Sequence, residues 1–331
     1  MKHYRVNLDF HPSQRWTSVI SDHLRHMPAL EQAYQDTLKK EFGIFRFIIK
    51  LLLYIIWIPK SYKEELMSIS KLSDVKYTTL LGLNLGIDFL CGCTSAGVKV
   101  NDNMVHLRNM DWDLNILRKL TCQIDYYRGN KLVFSSIQWV GFVGTFTAVK
   151  PGVSLSLNYR KDKSVTIRQV YNIIFGRQVP MSFQIRNVFE NETDYEQISQ
   201  YFQTTKSCSC YILICSSKTC TLIAKDEHNT LAPKTNGTRL VQTNHDHDLE
   251  TRGGQWVGHN RLSHSQYARW CDGDELLLNS KERWLSCHDL IDRCRFLPQI
   301  LNSPPVCNSQ TIYSVIMNPL HGTFDVIKVY E

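Results

Sequence analysis

What this chain lacks narrows the field first. The first ninety of its 331 residues contain no cysteine, so a disulfide tying that stretch to the rest could start only at Cys91. The total of eleven cysteines is odd and the chain is long, which favours free, core-type thiols over a disulfide framework. No run approaches the about 20 apolar residues that a transmembrane helix needs. The opening Met1-Lys2-His3-Tyr4-Arg5 leads straight into Asn7-Leu8-Asp9 without an apolar signal region, so no secretory signal peptide is expected in this numbering. Repeats and low-complexity linkers are missing too. The formal charge of +7 suits an anionic membrane surface as well as nucleic acid, but no RNA-binding or zinc-finger spacing accompanies it, and nucleic acid is not an expected partner. His245-Asp246-His247-Asp248 offers zinc-type donors, yet adjacent ligands on one short stretch need others from elsewhere. Cys208, Cys210, Cys215 and Cys220 lack a paired Cys-x-x-Cys spacing and read better as a strand hairpin. No metal and no cofactor are expected.

At 43% hydrophobic the chain can bury a large core. Residues 12–42 read as helical, with Trp16, Val19, Ile20 and Leu24 on one apolar face. The very apolar run 44–58, interrupted by Arg46 and Lys50, is either a buried core helix or an interfacial one whose Tyr54, Trp57 and flanking lysines suit a headgroup boundary. Ser61-Tyr62-Lys63-Glu64 has capping-box spacing and predicts a helix through Ser70. After residue 92 the pattern switches to short alternating segments, such as 132–136 and 154–158, with a helical stretch near 165–203 and a hairpin at 210–224. The switch divides the chain into a helical segment 1–92 and a sheet-rich portion 93–331.

The junction carries the chemistry. Cys93-Thr94-Ser95 starts a strand, Asn101-Asp102-Asn103 is a turn signal, and the return strand brings back Leu107-Arg108-Asn109-Met110-Asp111. Such a hairpin folds Arg108 and Asp111 back beside Cys93. A cysteine is a good nucleophile only as thiolate, and its free pKa of about 8.5 leaves little of it ionised at neutral pH. Were the Gly92–Cys93 bond cut, the new α-amine, with an intrinsic pKa of about 7.7 to 8.0, could take the thiol proton itself. Gly92 would permit a strained turn at the cut.

These residues closely resemble the acid ceramidase and N-acylethanolamine acid amidase family, N-terminal-nucleophile hydrolases whose catalytic part begins with Cys-Thr-Ser and continues into a His-x-Arg-Asn-Met-Asp segment, here His106 to Asp111. The opening Tyr4-Arg5-Val6-Asn7-Leu8-Asp9 with Arg15-Trp16, then Gly141-Phe142-Val143-Gly144, Lys150-Pro151-Gly152, Leu157-Asn158 and Val241-Gln242-Thr243-Asn244 follow in family order. The resemblance implies an α+β fold, the four-layer αββα sandwich, preceded by a helical N-terminal segment. It also implies autocleavage at Gly92–Cys93 and hydrolysis of an N-acyl lipid amide, ceramide or an N-acylethanolamine. Related acylases of bile salts or penicillin V, and an unprocessed lipid-binding protein, are the alternatives. Cys93 would be the nucleophile, Arg108 its fixed positive charge, Asp111 the holder of the α-amine and Asn244 the oxyanion donor. Arg261 matches the family's later arginine, with Arg252 as the other choice. Tyr159 stands where ceramidase-like members carry glutamate, and either hydrogen-bonds in the site or packs in the sheet. Cys271 matches the cysteine that joins the family's subunits, but its partner is missing, so the two fragments should pair non-covalently. The family's lysosomal address is not assumed.

Overall fold

The computed structural model describes residues 1–90, 92–160, 179–225, 230, 233–245, 254–257, 260–263, 275–294 and 296–330. Two sheets lie face to face. The larger has eight strands in the order β1 (Lys2–Asn7), β4 (Thr121–Arg128), β5 (Lys131–Trp139), β6 (Thr147–Lys150), β7 (Val153–Tyr159), β8 (Cys210–Cys215), β9 (Cys220–Lys225), β10 (Lys234–Asn236). The smaller runs β11 (Arg239–Gln242), β2 (Gly92–Val100), β3 (Asn103–Asp111), β14 (Thr311–Asn318), β15 (Thr323–Val329). Helices Lys60–Ser73, Tyr77–Leu90, Met181–Asn191 and Tyr195–Thr204 accompany the larger sheet, and Glu275–Arg293 and Leu297–Asn302 cover the smaller. The layering is αββα.

The central hairpin forms as its sequence predicts: Asn101 and Asp102 take φ of 46° and 68°, the left-handed pair that a tight two-residue turn requires. The 12–42 stretch is instead broken into short turns before a helix, Met27–Phe42, because Pro12 and Pro28 each sit at the start of a new segment. The helix expected from Ser61 runs Lys60–Ser73 with Pro59 at its N-cap and no side-chain capping bond, so the Ser61 capping box is not used. Of the 165–203 stretch, 165–178 lies outside the described residues; the rest holds the helices Met181–Asn191 and Tyr195–Thr204.

Residues 1–92 are woven into the remainder. Strand β1 pairs in parallel with β4. Asn84 donates to the Gly141 carbonyl at 2.9 Å and accepts from Val143 N–H at 2.9 Å, which gives the buried 141–144 turn its main-chain partners. Glu65 is fully buried and bonded by Arg186 at 2.6 and 2.8 Å, by Arg15 at 2.8 Å and by Trp16 Nε1 at 2.7 Å. A buried carboxylate is tolerable only with such saturation. Two other buried cations serve helix ends: Lys150 donates to the carbonyls of Phe189 and Glu192, and Lys225 to those of Phe202 and Thr205. Burial brings the Lys150 pKa down to about 8.

The apolar run becomes the helix Arg46–Ile55 with one buried leucine, Leu53. Phe47, Ile48, Leu51, Tyr54 and Ile55 are each more than half exposed, which disfavours the core-helix reading of this segment. Among the described residues no helix is long and apolar enough to cross a membrane.

Glu65→Gln should take the buried counter-charge away from Arg15 and leave the fully buried Arg186 with Glu190 alone. In a Cys93→Ala background it should lower unfolding stability by about 3–5 kcal/mol, read as a shifted urea midpoint; an unshifted midpoint would show that the network does not hold 1–92 to the sheet.

Candidate active site

The pleat of the β2–β3 hairpin sorts the site residues. Directly paired residues of an antiparallel ladder share a face, and successive residues alternate. The register sets Cys93 opposite Met110, Ser95 opposite Arg108, and Gly92 opposite Asp111. Cys93, Ser95 and Arg108 therefore face inward to β7, whereas Asp111 meets the helix Glu275–Arg293 on the outer side. The hairpin brings both charged residues back, as its sequence predicts, but only Arg108 reaches the thiol.

On the inner face Arg108 Nη2 lies 3.0 Å from Cys93 Sγ and donates to the Leu157 carbonyl at 2.8 Å. Its Nη1 donates to Ser95 Oγ at 2.9 Å and to Asn158 Oδ1. Arg108 is fully buried, and among the described residues no carboxylate pairs with it. Every oxygen it meets is neutral, so its charge is directed at the sulfur. Burial raises the Cys93 thiol above its ordinary pKa, and Asp111 adds to this; Arg108 and Arg283 pull the other way.

Behind Arg108 a buried chain fixes its acceptors. Ser156 Oγ donates to Ser95 Oγ at 2.8 Å, and His106 touches Ser154 Oγ at 3.0 Å and Ser156 Oγ at 2.8 Å. Burial, reinforced by Arg108, pushes His106 down to about 3, so the ring is neutral. With Ser156 giving its proton to Ser95, His106 donates from Nε2 and accepts at Nδ1.

On the outer face Asp111 is ion-paired with Arg283 and accepts from Thr311 Oγ1 at 2.7 Å. Asn244, two residues beyond β11, joins both faces: its Oδ1 accepts from the Cys93 N–H at 2.8 Å and from Arg283 Nη2 at 3.0 Å. Its Nδ2 donates to the Tyr159 carbonyl at 2.9 Å, and its own N–H donates to Ser280 Oγ at 2.8 Å. Gly92 is the first residue of β2 and does not form the strained turn expected of it. Its lack of a side chain serves close approach, because a Cβ there would lie 3.2 Å from Arg283 Nη1 and 3.3 Å from Asp111 Cβ.

Cys93, Arg108, Asp111 and Asn244 thus converge. Tyr159 ends β7, half-buried, and offers its main-chain carbonyl to Asn244. Arg261 falls in the separate hairpin of β12 (Gly254–Val257) and β13 (Asn260–Ser263), opposite Trp256, while Arg252 and Cys271 lie outside the described residues. His245 is buried with Nδ1 2.9 Å from Ser280 Oγ, and 246–248 lie outside the described residues. The guanidinium joining Asp111 to Asn244 is Arg283, which the sequence reading missed. The available signal was Ser280, Arg283 and Cys287 at i, i+3 and i+7, a helical stripe that carries an arginine inward.

Known proteins resemble this chain over most of its length. The sequence profile described as the beta subunit of N-acylethanolamine-hydrolyzing acid amidase matches residues 1–56. The N-acylethanolamine-hydrolyzing acid amidase of Caenorhabditis elegans is 26% identical over 341 positions, covering 96% of this chain and 89% of the relative. The acid ceramidase of Pan troglodytes is 24% identical over 358 positions, covering 97% and 84%. The chain resembles the acid ceramidase and N-acylethanolamine acid amidase family over nearly its whole length. A solved structure of the C. elegans N-acylethanolamine-hydrolyzing acid amidase ortholog matches with a TM-score of 0.54 over 69% of this chain and 93% of that one, at 23% identity, and bears out the αββα fold. In this chain the thiol and its arginine share the inner face, and the carboxylate sits across the sheet.

Arg108→Met should remove the cation nearest the thiol and raise the Cys93 pKa further. Iodoacetamide labelling of Cys93 at pH 8 should slow by about tenfold per pKa unit gained, with the midpoint of labelling against pH moved upward. Labelling identical to wild type would detach Arg108 from the nucleophile.

Proposed function

We propose that this chain is a cysteine N-terminal-nucleophile amidohydrolase that cleaves the amide of an N-acylated lipid, ceramide or an N-acylethanolamine. The observation that carries the proposal is one residue with two engaged ends: Cys93 Sγ against the carboxylate-free Arg108, and Cys93 N–H against the side chain of Asn244. An N-terminal nucleophile needs both ends positioned, since one supplies the attacking atom and the other the base.

In the precursor the thiol attacks the Gly92 carbonyl, the acyl group passes from nitrogen to sulfur and frees the Cys93 α-amine, and water then cleaves the thioester to the Gly92 carboxylate and the Cys93 thiol. Cys93 is 1% exposed in the intact chain, so cutting at Gly92 also opens a path to the sulfur. On substrate, the amine takes the thiol proton as sulfur attacks the amide carbonyl. Asn244 Nδ2 and Arg108 hold the oxyanion, Asn244 Oδ1 keeps the amine aimed, and the protonated amine hands its proton to the leaving nitrogen. Water then hydrolyses the thioester to the fatty acid. Asp111 supplies the negative charge that retains the α-amine at the sheet edge. Tyr159 fixes the donor nitrogen of Asn244 through its main chain.

Two further features support a lipid substrate handled by paired fragments. Residues 1–92 and 93–331 share the β1–β4 ladder and the Glu65–Arg186 ion pair, so cleavage leaves them associated without a covalent bond. The exposed face of the helix Arg46–Ile55 fits the apolar side of a membrane interface, flanked by Lys50, Lys60 and Lys63.

Intact-mass analysis should give fragments 1–92 and 93–331 that part under non-reducing denaturant, and one unbroken chain for Cys93→Ala. A chain that hydrolyses amides while uncut would remove the α-amine mechanism. Asn244→Ala should lose about a hundredfold or more in turnover. Replacing Phe47, Leu51 and Ile55 with serine should depress hydrolysis of long-chain N-acyl lipids in anionic vesicles far more than that of a short soluble amide; equal losses would return the helix to a structural role, and a preference for bile-salt or penicillin-type amides would change the substrate class.

A further inference from the structure

Arg283 takes part in none of the steps above, yet it is the charge best placed at the bond to be cut. Its side chain is 4% exposed and ion-paired to Asp111. Its Nη2 lies 3.0 Å from Asn244 Oδ1, the oxygen that also accepts from Cys93 N–H at 2.8 Å. A Cβ built on Gly92 would sit 3.2 Å from Nη1 and 3.6 Å from Nη2, so the guanidinium lies directly against the residue that donates the scissile carbonyl. Its Nε stays with its own helix, at 3.3 Å from the Asn279 carbonyl. One side chain thus touches the three residues that surround Cys93 N.

We propose that Arg283 is a positioning residue of this reaction centre: it locks Asp111 and Asn244 around the Gly92–Cys93 bond before cleavage and remains as a second cation beside the Cys93 α-amine afterwards. The proposal rests on the N-terminal-nucleophile reading. Before cleavage Cys93 N is an uncharged amide nitrogen, and the buried Asp111 carboxylate needs a counter-charge that Arg283 provides. After cleavage the new amine shares the Asn244 oxygen with Arg283. An amine that met Asp111 alone would be held protonated and could accept nothing. With Arg283 already on that carboxylate, a neighbouring positive charge disfavours the ammonium and leaves the amine free to take the thiol proton.

The surrounding groups agree in sign. Arg108 and the Cys93 thiol face the amine from the inner side, and Asp111 is the buried carboxylate on the outer side. Tyr313 on β14 is raised by burial, Tyr330 beyond β15 is raised by burial and pushed to about 12, and both stay neutral. His245 contacts Ser280 on the arginine's own helix, where any protonation would add positive charge. The amine therefore sits among two guanidiniums and one carboxylate.

The test compares wild type, Arg283→Gln and Arg283→Lys. For the cleaved enzymes, kcat/KM on a short soluble N-acyl amide is followed against pH. Arg283→Gln should move the acidic limb up by about one unit, with a roughly tenfold loss below the limb and a smaller one on the plateau; Arg283→Lys should restore most of the shift. An unmoved limb with the same loss at every pH, or lysine no better than glutamine, would reduce Arg283 to a packing role. Should Arg283→Gln remain uncut, the pH midpoint of the ultraviolet thiolate absorbance of the buried Cys93, taken as the difference from the same chain carrying Cys93→Ala, gives the reading instead. It should rise in the glutamine variant and not in the lysine variant, and an unmoved midpoint overturns the proposal. Wild-type protein that is neither cut nor active would sink the amidase reading, while the thiolate midpoint still decides the role of Arg283.

Discussion

The reaction centre depends on one pairing register. Because Cys93 opposes Met110 and Ser95 opposes Arg108, the thiol and the guanidinium meet on the face that looks into the larger sheet. A slip of β2 by one residue against β3 would turn its side chains over and send the thiol toward the helices, away from Arg108. The register is held by hydrophobic sorting on either side of the small sheet. Ala96, Val98 and Leu107 pack outward with Cys287, Ile300 and Leu301, and Met104 packs inward with Tyr211 and Leu213. Gly97 makes the inner contact close enough for the Cys215 and Cys220 thiols to lie on its backbone. The polar residues at the same inner positions are thereby forced together out of water.

Two buried arginines show how differently such forced charges are treated. Arg186 meets Glu65 through both terminal nitrogens and Glu190 through Nε, with the Tyr62 and Tyr126 rings 5.1 and 5.0 Å away. Its charge is consumed by structure, and it fastens the first 92 residues to the rest. Arg108 meets a carbonyl, a hydroxyl and a carboxamide, none of them charged. A desolvated cation without an anion favours any negative charge that forms beside it, and the nearest group able to supply one is the Cys93 sulfur. The burial that raises the thiol pKa and the cation that lowers it are parts of the same arrangement.

Splitting the charges across the sheet has a further effect. Were Asp111 on the inner face, it would neutralise Arg108 and repel a thiolate. Placed outside and paired with Arg283, it lies toward the backbone end of Cys93 and adds only to the rise that burial imposes on the thiol pKa. Asn244 spans the two sides with one carboxamide, its oxygen toward the Cys93 nitrogen and its nitrogen toward the Tyr159 carbonyl.

Local signals in the chain were sufficient for much of this. The Asn101-Asp102 turn and its flanking strands fixed the hairpin, and the spacing of Cys93, Arg108 and Asp111 announced a site, because turn chemistry and two-residue alternation are local properties. The change from helices to strands after residue 92 was legible for the same reason. The 12–42 stretch was less legible, since Pro12 and Pro28 restart the chain without altering the pattern of apolar residues, whereas the helix expected from Ser61 forms as Lys60–Ser73 without its capping bond. Which face each charge occupies depended on what packs against the hairpin, and no short-range pattern records that. The apolar run 44–58 has the same composition whether buried or exposed; only the packing of Leu53 and Ile58 against the core left Phe47, Leu51 and Tyr54 outside. Arg283 lies 172 residues from Asp111, on a helix whose sequence is largely polar, and it became part of the site because the tertiary fold lays that helix across the end of β2, where a buried carboxylate requires a cation.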